Sequence, residues 1–484
     1  MGSVGPGGSV GRAAAGGGTG IDHRPEIDQV PLAAPGMQLT APERAEVGRS
    51  RRKLVPRDGH AGWEPRANRA DPVALLEASN VTRVPELVPI RYGRMLASPF
   101  AFLRGSATVM AHDLATTRDS GITVQACGDA HLLNFGLFAT PERDLIFDVN
   151  DFDETLPAPW EWDVKRLAAS VAVAGRDAGF DDAENRAAAE ASVAAYRTNM
   201  ARYASHGHLE VWYSRISVES LQGLDADPKL RRTLSAGARK ARRRTSLQAR
   251  AKLTAVVDGR RQLVDDPPLL YHEDLDDAGE RLLSLYLNAA PSLLDDRRHV
   301  LSRYRMVDFA FKVVGVGSVG TRCFLVLMQG IHDDDVIMMQ LKEAEPSVLE
   351  PFMGDSPYPN HGQRVVEGQR LMQAASDIFL GWSKGISNVD FYFRQFRDMK
   401  GSFDLEGTDP GALTAYARLC GWALARAHAR CGEAATITGY LGTGDRFDRS
   451  IGEFAMGYAD QTLRDHATLA AAVAEGRVEA RAEA

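Results

Sequence analysis

Two acidic segments that directly follow apolar runs constrain the fold of this chain more than any other feature. The first begins at Asp129, after the apolar run 122–127. The second contains Asp151 and Asp153, after the run 144–149. Clustered carboxylates beside apolar strands are costly to fold, because like charges repel and carboxylates resist desolvation. A hard cation removes that cost, and Mg²⁺ held by one or two carboxylates and phosphate oxygens is the usual solution. The sequence therefore predicts a site for Mg²⁺ and a phosphate at the ends of these strands.

The spacing within residues 128–136 (GDAHLLNFG) suits a catalytic loop. Asp129 is predicted to accept the proton of an attacking hydroxyl, and Asn134, on the same loop, to supply an amide oxygen to the metal. Asp151 is predicted to complete the metal site, with Asp148 as the competing ligand. His131 is predicted to orient the loop through a hydrogen bond.

A glycine-rich segment, residues 315–320 (GVGSVG), has the spacing G-x-G-x-x-G, which alone is a weak signal. A dinucleotide-binding fold requires a helix after the glycines, but residues 321–328 (TRCFLVLM) are rich in β-formers. No Gly-Lys-Ser/Thr follows, which excludes a Walker A loop. The segment is predicted to be a flap between two strands that covers phosphates. Its candidate cofactor-binding residues are Gly315, Gly317, Ser318 and Gly320.

A lysine at the end of an apolar strand is the next candidate. Lys342 lies in residues 338–344 (MMQLKEA) and is predicted to hold the phosphates of a nucleotide. A helical carboxylate is expected to pair with it, and Glu367 is the best candidate. The alternatives are a plain charge at the end of a strand for Lys342 and a solvated helix residue for Glu367.

The acidic motifs resemble those of the kinase-like phosphotransferases, particularly the aminoglycoside and choline kinase branch. The pattern of those enzymes is G-D-x-H-x-x-N, then an apolar strand that ends in Asp-Phe, then an aspartate about twelve residues later. This chain has Gly128 and Asp129 in the first motif, Asp151 followed by Phe152, and Asp163 twelve residues beyond Asp151. The resemblance implies ATP and Mg²⁺ as cofactors, and it implies that Asp163 opens a helix and braces the catalytic loop.

The order of these parts differs from that of an ordinary kinase, in which the glycine loop and the lysine precede the catalytic loop. Here the catalytic loop comes first, and residues 419–430 resemble the helix that normally leads into it. The resemblance therefore implies an α+β, protein-kinase-like two-lobed fold in circularly permuted order, with a largely helical C-lobe and an antiparallel-sheet N-lobe. The predicted parts are a disordered Gly/Ala-rich tail (1–45), a catalytic-loop region with a helical insert (46–300), a glycine-loop and lysine region (301–405) and a helical C-terminal region (406–484).

Longer phrases resemble one bacterial family, domain of unknown function 2252 (DUF2252). They include LVPIRYGRMLASPFAFLRG, CGDAHLLNFGLF and NDFDETLPAPWEWDVKRLAAS, and the likeness spans roughly residues 46–470. The likeness to this family implies no substrate. Within the first phrase, a helix is predicted after Ser98; core packing is the preferred role for its Phe100, Phe102 and Arg104, and an acceptor pocket that also includes Arg94 is the alternative.

Composition narrows the class of partner. The net charge of −7 argues against a general nucleic-acid binder. No apolar run approaches the ~20 residues that span a bilayer, no secretory signal is visible, and the four cysteines lack metal-ligand spacing. These features predict a cytoplasmic protein without membrane association. The basic stretch 229–252 is predicted to be a solvated helix face, with contact to an acidic substrate or partner as the alternative.

The leading hypothesis is ATP- and Mg²⁺-dependent phosphoryl transfer to a hydroxyl of a small molecule or protein. Nucleotidyl transfer on the same fold uses the same ligands, and the sequence does not separate the two. A metal-dependent phosphoester hydrolase is a second class, and it would need two metals and further histidine ligands. A nucleotide-binding scaffold without turnover is a third class, against which the presence of Asp129 argues.

Overall fold

The computed structural model describes residues 39–219, 251–272, 290–385, 388–396 and 407–481, with a few isolated positions between these ranges. Within them, helices begin where the sequence supplies a cap. The Oγ of Ser98 accepts a hydrogen bond from the backbone N–H of Ala101, and Asp409 caps the helix that follows it in the same way. The helices are α1 (Ala41–Arg51), α2 (Pro72–Ser79), α3 (Val88–Leu96), α4 (Pro99–Gly105), α5 (Ala107–Leu114), α6 (Trp160–Asp177), α7 (Asp182–Ala204), α8 (His208–Tyr213), α9 (Asp295–Leu301), α10 (Glu350–Met353), α11 (His361–Met372), α12 (Pro410–Cys431), α13 (Ala434–Leu441) and α14 (Arg446–Ala474).

All the strand pairs within the described residues are antiparallel. The largest sheet has six strands in the order β11-β12-β10-β9-β8-β7, and the two-stranded sheets are β1-β4, β2-β3 and β5-β6. The strands are β1 (Thr123–Ala126), β2 (Phe135–Ala139), β3 (Leu145–Val149), β4 (Leu156–Pro159), β5 (Thr254–Val257), β6 (Arg260–Leu263), β7 (Leu270–Tyr271), β8 (Arg305–Lys312), β9 (Cys323–Gln329), β10 (Val336–Ala344), β11 (Gly381–Lys384) and β12 (Asp390–Gln395).

The main core lies where α6, α7, α12 and α14 pack against one another and against the strands of the acidic segments. α6 is buried over almost its whole length, and the ring of Trp160 at its start stacks on Tyr196 of α7, with ring centroids 5.5 Å apart. α7 and α12 approach so closely that a Cβ on Gly421 would lie 2.0 Å from the carbonyl oxygen of Ser192. The loop that contains Asp129 packs against this helical layer.

The α+β class predicted from the sequence is confirmed, with antiparallel sheets and long helices. The predicted disordered tail 1–45 needs a correction at its end, because α1 already begins at Ala41; residues 1–38 lie outside the described residues. The basic stretch 229–252 also lies almost entirely outside them. The described residues from Ala41 onward form one compact unit. None of the helices in the described part of the chain is long and apolar enough to cross a membrane.

The sequence predicts Asp148 as the competing metal ligand, and the structure corrects that expectation. Its side chain is fully buried within β3. Both carboxylate oxygens accept hydrogen bonds from one amino group of Arg426 of α12, at 2.7 and 2.8 Å, and one also accepts from the backbone N–H of Ala374 at 2.9 Å. A strand residue that points into the core needs such a partner. Asp148 therefore has a structural role.

The Asp148–Arg426 pair yields a stability prediction. Asp148→Ala leaves the Arg426 guanidinium buried without its counter-ion, which costs about 3–5 kcal/mol of the free energy of unfolding. Urea denaturation measures this loss. The matched control is Asp144→Ala, which breaks an ion pair to Arg215 at 3.3 Å in which both side chains are about half exposed; such pairs contribute less than about 1 kcal/mol. Equal losses in the two variants would contradict the structural role.

Candidate functional site

The segment from Cys127 to Asn134 is held in place by the carboxylate of Asp163, in the first turn of α6. Asp163 accepts hydrogen bonds from the backbone N–H groups of Cys127 (2.6 Å) and Gly128 (3.0 Å), and Nε2 of His428 lies 3.0 Å from the same carboxylate. The predicted bracing contact of Asp163 is thus confirmed. Gly128 is required here, because its φ is +81° and a Cβ would lie 2.3 Å from the carbonyl oxygen of Glu154.

Among the polar side chains of this loop, Asp129 is firmly held in position by Arg166. One carboxylate oxygen accepts from Nε (2.8 Å) and lies 2.6 Å from Nη2 of Arg166 on α6. Burial raises the pKa of Asp129, against the opposing charges of Arg166 and Arg104. The amide nitrogen of Asn134 donates to the carbonyl oxygen of Asp129 at 2.6 Å. The loop therefore presents an oriented carboxylate and an amide oxygen.

His131 closes the turn that follows Asp129. Its Nδ1 accepts a hydrogen bond from the backbone N–H of Leu133 at 3.2 Å, and its Nε2 lies 3.8 Å from the carboxylate of Asp129. Burial lowers the pKa of His131 well below its usual value, with further lowering by Arg104 and Arg166. A neutral ring that caps a backbone turn fits the orienting role predicted for this residue.

The acidic segment after β3 joins the six-stranded sheet through Asp153. Its carboxylate pairs with Nζ of Lys342 and accepts hydrogen bonds from the hydroxyls of Tyr392 (2.8 Å) and Ser318 (3.2 Å). Burial opposes its ionisation, but Lys342 and Tyr392 outweigh burial and lower the pKa of Asp153 to about 2. Lys342 also donates to Oγ of Ser318 at 2.7 Å, and its pKa is raised: burial opposes its charge, and Asp153 outweighs burial.

Asp151 is an acidic residue of the cavity whose charge is only weakly compensated. Burial and the neighbouring charge of Asp153 raise its pKa, while Lys342 and Arg394 act in the opposite direction. Its Oδ1 accepts a hydrogen bond from the backbone N–H of Asp153 at 3.3 Å, a long distance. A half-buried carboxylate in this state attracts a cation.

The glycine-rich segment connects β8 to β9 through one short 3₁₀ turn, Val316–Ser318. The predicted strand–turn–strand flap is thus confirmed. The segment before α3 fastens it from outside: Arg83 donates to the carbonyl oxygen of Val319 (2.6 Å), and the backbone N–H of Val84 donates to that of Gly320 (2.8 Å). Arg94 of α3 donates to the carbonyl oxygen of Val314.

One cavity of about 310 Å³ brings most of the predicted site residues together. From the acidic segments it is lined by Asp129, His131, Asn134 and Asp151. From the sheet and its flap it is lined by Gly315, Gly317, Ser318 and Lys342. Gly320, Asp148 and Glu367 do not line it. The side chains from the sheet share one face, because alternate residues of β10 and β12 point the same way.

Glu367 is the predicted residue that the structure corrects most clearly. It pairs with Arg370 on its own helix at 3.1 Å, and the carboxylate beside Lys342 is that of Asp153. The packing of α11 explains the difference. Arg364, almost fully buried, donates from α11 to the backbone carbonyl oxygens of Asp153, Thr155 and Glu345, at 2.7–2.8 Å. The helix therefore meets the acidic segment through Arg364.

Several cavity residues had no signal in the sequence. Arg83, Arg91 and Arg394 line the cavity from a loop, a helix and a strand whose neighbours are distant in the chain. Arg166 has a weak signal, since it lies one helical turn after Asp163. Of the helix predicted after Ser98, Phe100 and Phe102 pack into the core as expected, and Arg104 lines the cavity.

The side chains that line the cavity limit the kind of metal that could bind there. Among the described residues, no group of three or more His, Cys, Asp or Glu side chains is arranged to hold a metal. The carboxylate of Asp151 and the side-chain amide of Asn134 are among the oxygen-bearing groups that line the cavity. Two protein oxygens completed by phosphate and water are the arrangement that suits Mg²⁺.

Comparison with known proteins gives a family. A family model described as an uncharacterized protein conserved in bacteria (DUF2252) matches residues 83–472, which include the loop with Asp129, the acidic segment, the glycine loop and Lys342. No curated protein and no solved structure matched the chain. Because the match covers well over half of the 484 residues, the chain belongs to the DUF2252 family of bacterial proteins.

Proposed function

We propose that this protein is an ATP- and Mg²⁺-dependent phosphotransferase of the kinase-like type that acts on a hydroxyl group. The observation that carries the proposal is one cavity that is lined both by Lys342 and the glycine flap and by Asp129, Asn134 and Asp151. These parts come from segments almost two hundred residues apart. Phosphoryl transfer requires their convergence, because the phosphate chain of a nucleotide extends only several ångströms.

Asn134 and Asp151 are the residues that would hold Mg²⁺. Both supply oxygen, and the raised pKa of Asp151 reflects a burial and a repulsion from Asp153 that a bound cation relieves. Bound there, the ion supplies charge neutralisation for the phosphates. Lys342 and Ser318 are the protein groups that hold the phosphates, since Nζ and Oγ already meet within 2.7 Å at the flap.

Asp129 is the proposed general base. Arg166 fixes its carboxylate, and burial raises its pKa toward the range in which a carboxylate is a better proton acceptor. The hydroxyl of the acceptor loses its proton to Asp129 as its oxygen attacks the γ-phosphorus. The remaining contribution is the alignment of the two reactants.

The path of the chain supports a kinase-like two-lobed fold in rotated order. The C-terminal end of α12 meets β1, the strand before the catalytic loop: Sγ of Cys431 donates to the carbonyl oxygen of Gln125 at 3.4 Å, and Gly432 packs on Val124. In an unpermuted chain, that helix would continue into this strand. Chain termini tolerate such relocation when they lie at the surface.

The direct test follows both ends of the nucleotide. The protein is incubated with Mg²⁺, a deproteinised bacterial extract and ATP labelled at either the γ- or the α-phosphate. Phosphoryl transfer moves the γ-label to an acceptor, whereas nucleotidyl transfer moves the α-label. No transfer of either label, together with no binding of ATP in calorimetry, would refute the proposal.

The metal assignment predicts the behaviour of Asp151→Ala. We expect this variant to lose Mg²⁺-dependent nucleotide binding, because Asn134 alone cannot hold the ion. Isothermal titration with a non-hydrolysable ATP analogue, with Mg²⁺ and with EDTA, measures the metal-dependent part of the affinity. Asp144→Ala, outside the cavity, serves as the control and should titrate like the wild type. Retention of the full Mg²⁺ effect in Asp151→Ala would move the metal elsewhere.

The base assignment predicts a different split for Asp129→Asn. The amide keeps the shape and can still accept a bond from Arg166, so nucleotide affinity should stay within about twofold, while kcat falls by roughly 10²–10⁴-fold. Calorimetry and steady-state transfer rates measure the two quantities separately. If turnover in Asp129→Asn matches the wild type, Asp129 is not the base.

A further inference from the structure

We propose that the hydroxyl-bearing acceptor carries a phosphate-like anionic group, which Arg83, Arg91 and Arg104 bind on the helical wall of the cavity. This inference rests on the proposed phosphotransferase function and specifies its substrate class. The three arginines come from the segment between α2 and α3, from α3 and from α4, and all three line the cavity. Arg91 and Arg104 belong to helices, and Arg83 also reaches the flap, where it donates to the carbonyl oxygen of Val319.

The guanidinium groups of Arg83 and Arg91 are held by neutral acceptors. Arg91 is 2% exposed; it donates to the carbonyl oxygen of Gly105 at 2.8 Å, to Oγ of Ser79 at 3.2 Å and to the amide oxygen of Asn80. Arg83 donates to two backbone carbonyl oxygens. Within the described part of the chain, Nε of Arg91 and Nε of Arg104 are buried and have no hydrogen-bond partner.

Three acidic residues of the cavity form ion pairs with other cations. Asp129 pairs with Arg166, Asp153 pairs with Lys342, and Glu343 pairs with Arg322. Glu154 and Glu345 also line the cavity and act on Arg83 and Arg91 through charge, but within the described residues neither forms an ion pair with the three arginines. Guanidinium groups match phosphate and carboxylate oxygens in geometry, so an anionic ligand can complete the hydrogen bonding of these arginines.

The location of the arginines favours the acceptor over the nucleotide. The flap, Ser318 and Lys342 provide for nucleotide phosphates on the sheet side. Arg104 acts on the carboxylate of Asp129, with which it interacts through charge. An anionic group bound there lies beside the base, where the acceptor must place its hydroxyl.

The reaction balances with this substrate class. The hydroxyl oxygen of the phosphate-bearing acceptor forms a bond to the γ-phosphorus, and the bond between the γ-phosphorus and its bridging oxygen breaks. ADP leaves with that electron pair, and the hydroxyl proton passes to Asp129. The product is a compound with two phosphate groups. No further reactant is needed.

Inorganic phosphate is the probe that tests the arginine site. It is titrated calorimetrically into protein saturated with Mg²⁺ and a non-hydrolysable ATP analogue. We expect phosphate to bind alongside the nucleotide, and Arg104→Gln and Arg83→Gln each to weaken that binding at least about tenfold, the loss expected for a hydrogen bond to a charged group. Two part-exposed arginines are chosen because the buried Arg91 also supports folding.

The control is Arg118→Gln, which removes an exposed arginine outside the cavity and should leave phosphate affinity unchanged. Phosphate that displaces the nucleotide analogue would overturn the inference, since the arginines would then serve the nucleotide. Unchanged phosphate affinity in both cavity variants would also overturn it. If the analogue does not bind at all, the phosphotransferase proposal fails; phosphate titrated into the free protein, with and without Arg104→Gln, still decides whether the arginine site exists.

Discussion

The ion pair between Lys342 and Asp153 is the interaction on which the rest of the site depends. It joins β10, a central strand of the six-stranded sheet, to the acidic segment that follows β3. The side chain of Lys342 is 4% exposed, so neither partner could be removed without leaving an uncompensated charge in a poorly solvated place. Ser318 and Tyr392 bond to the same carboxylate. The carboxylate of Asp153 thus fixes the flap, the sheet and the acidic segment after β3 relative to one another.

The same physical constraint sorts the acidic residues by role. Asp148 points from β3 into the core and takes Arg426 as its cation. Asp163 is saturated by two backbone N–H groups and His428, and so holds the loop. Asp129 is oriented by Arg166 but still lines the cavity. Asp151, beyond the end of β3, is left with weak compensation. Carboxylates only a few residues apart thereby acquire different functions, because each meets a different part of the chain.

Local patterns predicted the parts of the site, and long-range packing decided their partners. The catalytic loop, the brace by Asp163 and the flap between two strands follow from spacings within a few tens of residues. The partner of Lys342 cannot be predicted from such spacings, because Asp153 lies 189 positions away in the sequence. Glu367 also lay at a spacing suitable for the expected helical carboxylate. The choice was made by the rotation of α11, which turns Arg364 toward the acidic segment. Strand alternation was the unused signal for Asp148, because a charged residue inside a fully buried strand must find a cation in the core.

The segment that carries the arginines also holds the flap, and this links the two halves of the cavity. Arg83 lines the cavity and donates to the carbonyl oxygen of Val319, while Arg94 donates to that of Val314. An ordinary kinase chain begins near its glycine loop, whereas in the proposed rotated order a helical segment precedes the catalytic loop and covers the flap. The flap is therefore preorganised, and opening it breaks bonds to the wall that would hold the acceptor. Under the proposed function, a ligand that fixes this wall would also fix the flap, so that binding of one reactant would lower the ordering cost for the other.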